Sequence, residues 1–187
     1  MTKRRLTAVL LGLVVVAAAG AAWYWPTARS RAMDRVVALN GTYVEQWDDA
    51  ESRRVNIVML VNRPVTEEDL AALRDIRPLH RVLLDNTPVT DDGLSQLEAI
   101  EGLEFLSLMG TRVTDAGLVH LRGLKGLKVL TLRGTPVTDA GLLHLRELPQ
   151  LEVLNVLDTN VTDRGVEELQ RAAPALRQVY LHQPIDD

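Results

Sequence analysis

Few residues of this chain have the types and spacing to do chemistry. His120 and His144 stand 24 residues apart at one point of a repeated pattern, and neither has the clustered carboxylate or cysteine ligands of a metal site. They are expected to form a copied surface column. His80 and His182 fall in other copies, far apart along the pattern. Glu67, Asp91, Asp115, Asp139 and Asp163 form an acidic column at the same 24-residue step. Paired carboxylates can share general acid and base work, but each of these acids follows a Val-Thr pair that opens a helical pattern, where a negative charge meets the positive end of the helix dipole. Asp91-Asp92 reads the same way. No serine sits in a nucleophile-elbow pattern, and no glycine-rich loop could cradle a phosphate. The chain has no cysteine, which excludes a thiol nucleophile, a cysteine zinc site, disulfide end caps and lipid attachment at a cysteine. The expectation is a protein that is not an enzyme and holds no metal or cofactor.

These residues are positioned by a 24-residue unit written five times. Residues 113–136 and 137–160 are identical at 14 positions, and further copies begin at Val65, Val89 and Val161. A strand-like half copy, residues 55–64, precedes them. Alternation at Leu130 and Leu132 is the two-residue period of a strand with one buried face. Leu118, Leu121 and Leu124 recur every third residue, as a short helix needs. The Thr114 hydroxyl is placed to accept from an orphan N–H at that helix's start. Gly93, Gly117, Gly141 and Gly165 lie in the first helical turn, where glycine weakens a helix, so a close approach of neighbouring backbones is expected to demand them. The first copy has Asp69 there and lacks an equivalent neighbour on one side. No copy could bury its own leucines alone, whereas stacked copies can.

Within each unit, Leu127, Leu130, Leu132 and Thr135 form LxxLxLxxT, which resembles the leucine-rich repeat, with Thr where many families of that fold place Asn or Cys. The TxVTDAGL register is similar to a short 24-residue type common in bacterial envelope and cytoplasmic proteins, related in pattern to the repeats of F-box ubiquitin-ligase receptors. The resemblance runs over residues 55–187. It implies an α/β solenoid with parallel strands on a concave face and short helices on the convex face. The last copy carries one extra residue around Pro174, so its strand falls at Val179 and Leu181, and Pro184 stands where the ladder Thr should be, which suits a blunted end.

The net charge of −4 is unevenly spread: residues 1–35 hold six Lys/Arg against one Asp, and the remainder 15 against 24 acids. An acidic repeat domain is a poor nucleic-acid binder, since phosphate contacts supply most of that affinity. Lys3, Arg4 and Arg5 run into an uncharged 20-residue stretch, Leu6 to Trp25, about the length that spans a bilayer. The stretch suits either a signal peptide cleaved near Ala17-Ala18-Ala19 or Ala19-Gly20-Ala21, or a retained anchor. Its length and its end in Trp23, Tyr24 and Trp25 favour the anchor. A signal-like leader puts the repeats outside the cytoplasm by default, and the reverse topology stays open because Lys3, Arg4 and Arg5 face Arg29, Arg31 and Arg35 across the stretch. Residues 1–25 are thus read as a transmembrane helix, 26–54 as a juxtamembrane segment and cap, and 55–187 as the repeat domain. Within the cap, a helix over 29–39 is expected to cover the first repeat strand, and Thr42 to Trp47 to form a strand followed by a turn. The sequons at Asn40 and Asn160 are read as coincidence.

Strand alternation also names the side chains on the concave face. Those singled out as a partner-binding surface are Ile57, Met59, Arg81, Leu83, Phe105, Met109, Val129, Arg133, Val153, Leu157 and Tyr180. Many are apolar and none belongs to the leucine core, and extended concave faces with adaptable Met and aromatic side chains suit contact with a protein or peptide. The expected function is a membrane-anchored leucine-rich repeat protein that binds another protein through this face. A secreted binder after signal cleavage, a self-associating envelope protein and an F-box-like substrate receptor are the alternatives; no helical adaptor motif precedes the repeats to favour the last.

Overall fold

A computed structural model of the chain describes residues 28–49 and 51–181. The expected membrane span, His182 and Pro184 lie outside the described residues, and among the described residues no helix is long and apolar enough to cross a membrane. The chain starts with α1 (Ala28–Ala38) and a hairpin of β1 (Thr42–Asp48) and β2 (Arg53–Met59). Strands β3 (Arg81–Leu83), β4 (Phe105–Ser107), β5 (Val129–Thr131), β6 (Val153–Asn155) and β7 (Gln178–Tyr180) then follow one per repeat. The seven strands lie side by side in chain order; β1 is antiparallel to β2 and every later pair is parallel.

The chain returns between strands through short helices: α2 (Glu67–Ala72) with a 3-10 turn, α3 (Asp91–Ser95), a 3-10 helix over Gly117–Gly123, α4 (Asp139–Leu145) and α5 (Asp163–Ala172). The Gly117–Gly123 segment follows the period of three that its leucines showed, which is the 3-10 repeat. Between sheet and helices runs one core. Val58, Val82, Leu106, Leu130 and Leu154 register across adjacent strands and are fully buried, so each repeat's central strand residue packs on the next one's.

Polar groups inside the turns are satisfied within the repeat or by its neighbour. The hydroxyls of Thr87, Thr111 and Thr135 each donate to the carbonyl three residues earlier, at 2.6, 2.7 and 2.6 Å. That bond explains the Thr of LxxLxLxxT, since a buried hydroxyl must find an acceptor. Where the chain leaves each strand, Asn62, Asn86, Gly110, Gly134 and Asp158 adopt φ between 54° and 68°, a left-handed column filled by residue types that tolerate it.

The acidic column reaches across repeats instead of capping its own helices alone. Asp91 Oδ1 accepts from the Thr114 N–H at 2.7 Å and Asp91 Oδ2 from the Thr114 hydroxyl at 2.6 Å. Asp115 binds Thr138 in the same way (2.8 and 2.6 Å), and Asp139 binds Thr162 (2.8 and 2.7 Å). A Cβ on Gly117, Gly141 or Gly165 would collide with the incoming aspartate. The close approach at these three glycines is made first by a carboxylate, with the Asp91 backbone 3.1 Å away at Gly117, whereas at Gly93 it is made by the side chains of Leu70 and Val89. In the first repeat no carboxylate arrives, and Asp69, in the glycine column, turns back onto Thr66 N–H at 2.9 Å and its hydroxyl at 2.7 Å.

The amino-terminal cap differs from expectation in its division of labour. Strand β1, rather than α1, covers the edge of β2. Helix α1 closes the end of the core with Ala32 and Val36, both 2% exposed, and Arg35 Nε donates to Asp69 Oδ1 at 2.6 Å.

Gly117→Ala separates the carboxylate contact from helix propensity. Removing glycine from a helix ordinarily stabilises it by about 0.5–1 kcal/mol. Here the new Cβ would lie 3.0 Å from Asp91 Cγ and 3.1 Å from its Cα, and moving that carboxylate breaks two hydrogen bonds. Urea unfolding should show a loss of about 1–3 kcal/mol. Gly126→Ala, with its Cβ 3.5 Å from the Leu103 carbonyl, should stay within about 0.5 kcal/mol of the parent.

Candidate binding face

The strands present three rows of side chains away from the core. Ile57, Arg81, Phe105, Val129, Val153 and Gln178 register in the first row, and Met59, Leu83, Ser107, Thr131, Asn155 and Tyr180 in the second. Met109, Arg133 and Leu157 follow on the third, just beyond the strands. Phe105, Val129 and Val153 are thus immediate neighbours, half-buried, on three adjacent strands. Met59, Leu83, Arg81, Met109, Arg133 and Leu157 are also half-buried, and Tyr180 is 42% exposed. Arg133 Nε donates to Asp158 Oδ2 at 2.8 Å.

Ile57 is the exception to the expected surface. It is only 9% exposed, between Val44 of β1 and Arg81 of β3. Arg81 donates to Asp48 Oδ2 at 3.3 Å, and to reach β1 its side chain spans the intervening β2. Ile57 is therefore excluded from the contact surface.

The same hairpin makes further long-range ion pairs along one end of the strands. Arg53 donates to Glu104 and to Glu51 Oε2, and Lys128 Nζ donates to Glu51 Oε1 at 2.7 Å, across 77 residues of chain. Lys128, then Arg53, hold the Glu51 carboxyl down to about 2, against an ordinary value of 4.5. Glu51's contribution is thus present above 4.5 and is lost as pH falls towards that lowered value. Nothing in the sequence paired these residues. The available signal was the residue just before each strand, where Glu104, Lys128, Glu152 and Arg177 alternate in sign.

Beneath this cluster lies His80, 8% exposed. Its Nδ1 accepts from the Asn56 N–H at 3.0 Å, and the His80 backbone N–H donates to the Asn56 carbonyl at 3.0 Å, so ring and backbone together tie β2 to the first repeat. Burial first, and the positive Arg53 second, push its pKa below 6.5, with Glu104 and Glu51 opposing them.

His120 and His144 lie on the convex side and join successive repeats in different ways. His120 Nδ1 is 3.6 Å from Glu98 Oε2, whereas His144 Nδ1 is 2.7 Å from the Arg122 guanidinium. Among the described residues no three of His, Asp and Glu converge as metal ligands. An open depression of about 760 Å³ lies between α1, α2 and the second repeat, lined by Arg35, Thr66, Glu67, Asp69, Thr90 and Gly93, away from the concave face.

A solenoid of parallel strands and short convex helices, with LxxLxLxxT or a close variant of it in each turn, has the leucine-rich repeat fold. Among solved structures the chain is similar to an internalin, inlF, of Listeria monocytogenes, at 17% identity and a TM-score of 0.50, over 62% of this chain and 32% of that one. It is also similar to internalin C2 of the same organism, at 26% identity and a TM-score of 0.49, over 60% of this chain and 46% of that one. The chain thus spans less than half the length of either. No family model matches it, and no curated protein does.

A pH titration checks the placement of His80. Because its folded-state pKa is below 6.5, the unfolded chain binds the proton more readily, so the stability this residue contributes is complete above 6.5 and is lost as pH falls from there towards the lowered value. Between about pH 7.5 and about pH 5.5 the parent's melting temperature should fall, and the fall should shrink in His80→Gln.

Proposed function

We propose that this protein is a leucine-rich repeat module, tethered to a membrane through residues 6–25, that binds a protein or peptide on its concave face and performs no catalysis. The row Phe105, Val129 and Val153 carries the binding half of this reading: three apolar side chains on adjacent strands, facing away from a core that is already complete without them. Leu83 and Met109 extend the apolar surface on either side. Strand propensity would account for single exposed β-branched or aromatic residues, but not for three of them aligned on adjacent strands. Non-catalysis rests on the scarcity of nucleophiles and on histidines occupied in contacts between repeats or strands. The tether is supported by the uncharged 20-residue stretch, the basic residues before it and the aromatic cluster that ends it. A signal-like leader favours the extracytoplasmic side for the repeats.

Phe105→Asp combined with Met109→Lys tests the binding face. Both side chains are off the core, so the melting temperature should change by less than about 3 °C. Crosslinking and pull-down from native membranes should recover a protein with the parent and lose it with the double variant. Recovery of the chain alone would replace partner binding with self-assembly.

A further inference from the structure

One corner of the cap carries an aromatic ring and arginines that serve neither the core nor the concave face. Trp47, near the end of β1, is 56% exposed. Alternate residues of a strand share a face, so Trp47 is on the same side as Tyr43 and Glu45. Arg29, at the start of α1, donates to both of them, to the Tyr43 hydroxyl at 3.1 Å and to Glu45 Oε1 at 3.2 Å. Strand β1 therefore runs back past the start of α1, and Trp47 lies about 7 Å beyond the level of Glu45. Arg54 of β2 stands directly opposite Trp47 and is exposed. Along this side of β2, Val58 is in the core, the Asn56 amide donates to the Pro78 carbonyl, and Arg54 is past the core's end.

This is also the corner where the preceding chain arrives. Helix α1 begins three residues after Trp25, a distance of at most about 10 Å in extended chain. The inference rests on the membrane tether proposed above. If residues 6–25 span a bilayer, the start of α1 is within about 10 Å of the apolar layer, on the side past which β1 carries Trp47, and the headgroup zone on each side is itself about 5–7 Å thick. An indole with an apolar body and an N–H is suited to that zone, and guanidinium groups to its phosphates. Two of the local acids are engaged elsewhere, Asp48 with Arg81 and Glu51 with Lys128 and Arg53, while Glu45 orients Arg29 within the corner and Arg54 supplies the exposed positive charge. Asp49 adds one exposed carboxylate.

We propose that Trp47, with Arg29 and Arg54 beside it, docks on the headgroup layer of an anionic bilayer and holds the amino-terminal end of the solenoid against the membrane. The cap is then a foot as well as a lid, and it sets the tilt at which the concave face is presented.

The test uses the full chain with Trp23→Phe and Trp25→Phe, which leaves Trp47 as the sole tryptophan of the three. It is reconstituted into phosphatidylcholine–phosphatidylglycerol vesicles, with and without lipids brominated near the headgroup. Co-flotation with the vesicles, together with about a two-fold loss of Trp47 emission on bromination, is the expected result. Co-flotation with unchanged emission would overturn the docking while leaving the tether intact; a blue-shifted, unquenched Trp47 would assign the corner to a second copy of the chain. Failure to co-float would overturn the tether and the docking with it. Within the same assay, Arg54→Glu should weaken quenching in phosphatidylglycerol vesicles, and an unchanged signal there would remove Arg54 from the proposed contact.

Discussion

From the second repeat onward, the architecture depends on one carboxylate passed to the following repeat, at Asp91, Asp115 and Asp139. In VTDAGL the Asp of one copy enters between the Thr and the Gly of the following copy, where it accepts from the Thr N–H and hydroxyl and fills the space that glycine leaves open. Three letters of the motif are therefore one interlock, shared between two repeats. The Thr that receives the carboxylate also accepts from a helix N–H, as Thr138 does from Ala140 at 3.2 Å, so the same group that joins the repeats starts the helix. A helix of seven residues or fewer has little cooperative stability of its own. Its start is held by its neighbour.

The amino-terminal end shows what the interlock requires when the neighbour is missing. Asp69 occupies the glycine column and supplies the carboxylate to its own Thr66. With no incoming side chain to accommodate, a side chain at that position is useful. Desolvation works against the charge on Asp69, but hydrogen bonds from Thr66 and then from Arg35 outweigh it and hold its pKa below the ordinary 3.8. Arg35 belongs to α1, so the cap helix is attached to the array through the residue that replaces the repeat contact.

Most of this fold is legible in the sequence because its contacts repeat at a fixed step. The inward leucines, the strand positions and the helix starts all follow from residues 24 apart, and a one-dimensional stack turns that step directly into adjacency. The left-handed column of Asn62, Asn86, Gly110, Gly134 and Asp158 has the same step, yet its changing residue types hide a constant backbone conformation. Contacts that break the step leave no such trace. The pairing of Glu51 with Lys128 joins chain segments 77 residues apart through side chains that look like ordinary surface charge. The burial of Ile57 likewise depends on where Arg81 reaches, which alternation does not encode.

Those irregular contacts give the arc a direction. At the amino-terminal end, the hairpin and its ion pairs to Arg81, Glu104 and Lys128 occupy one margin of β3 to β5. At the other end β7 has only three residues, with Gln178 and Tyr180 exposed. Between them the rows from β3 to β7 cover roughly 24 Å by about 16 Å, on the order of 400 Å², from strand spacing and rise. A protein–protein interface of standard size takes about 800 Å² from each partner. On the proposed reading, the concave face alone is too small for a broad, flat domain surface and matches an extended peptide or a single projecting edge. A partner that binds more tightly must also engage the rim, and the rim that the hairpin leaves open is the side carrying Met109, Arg133 and Leu157.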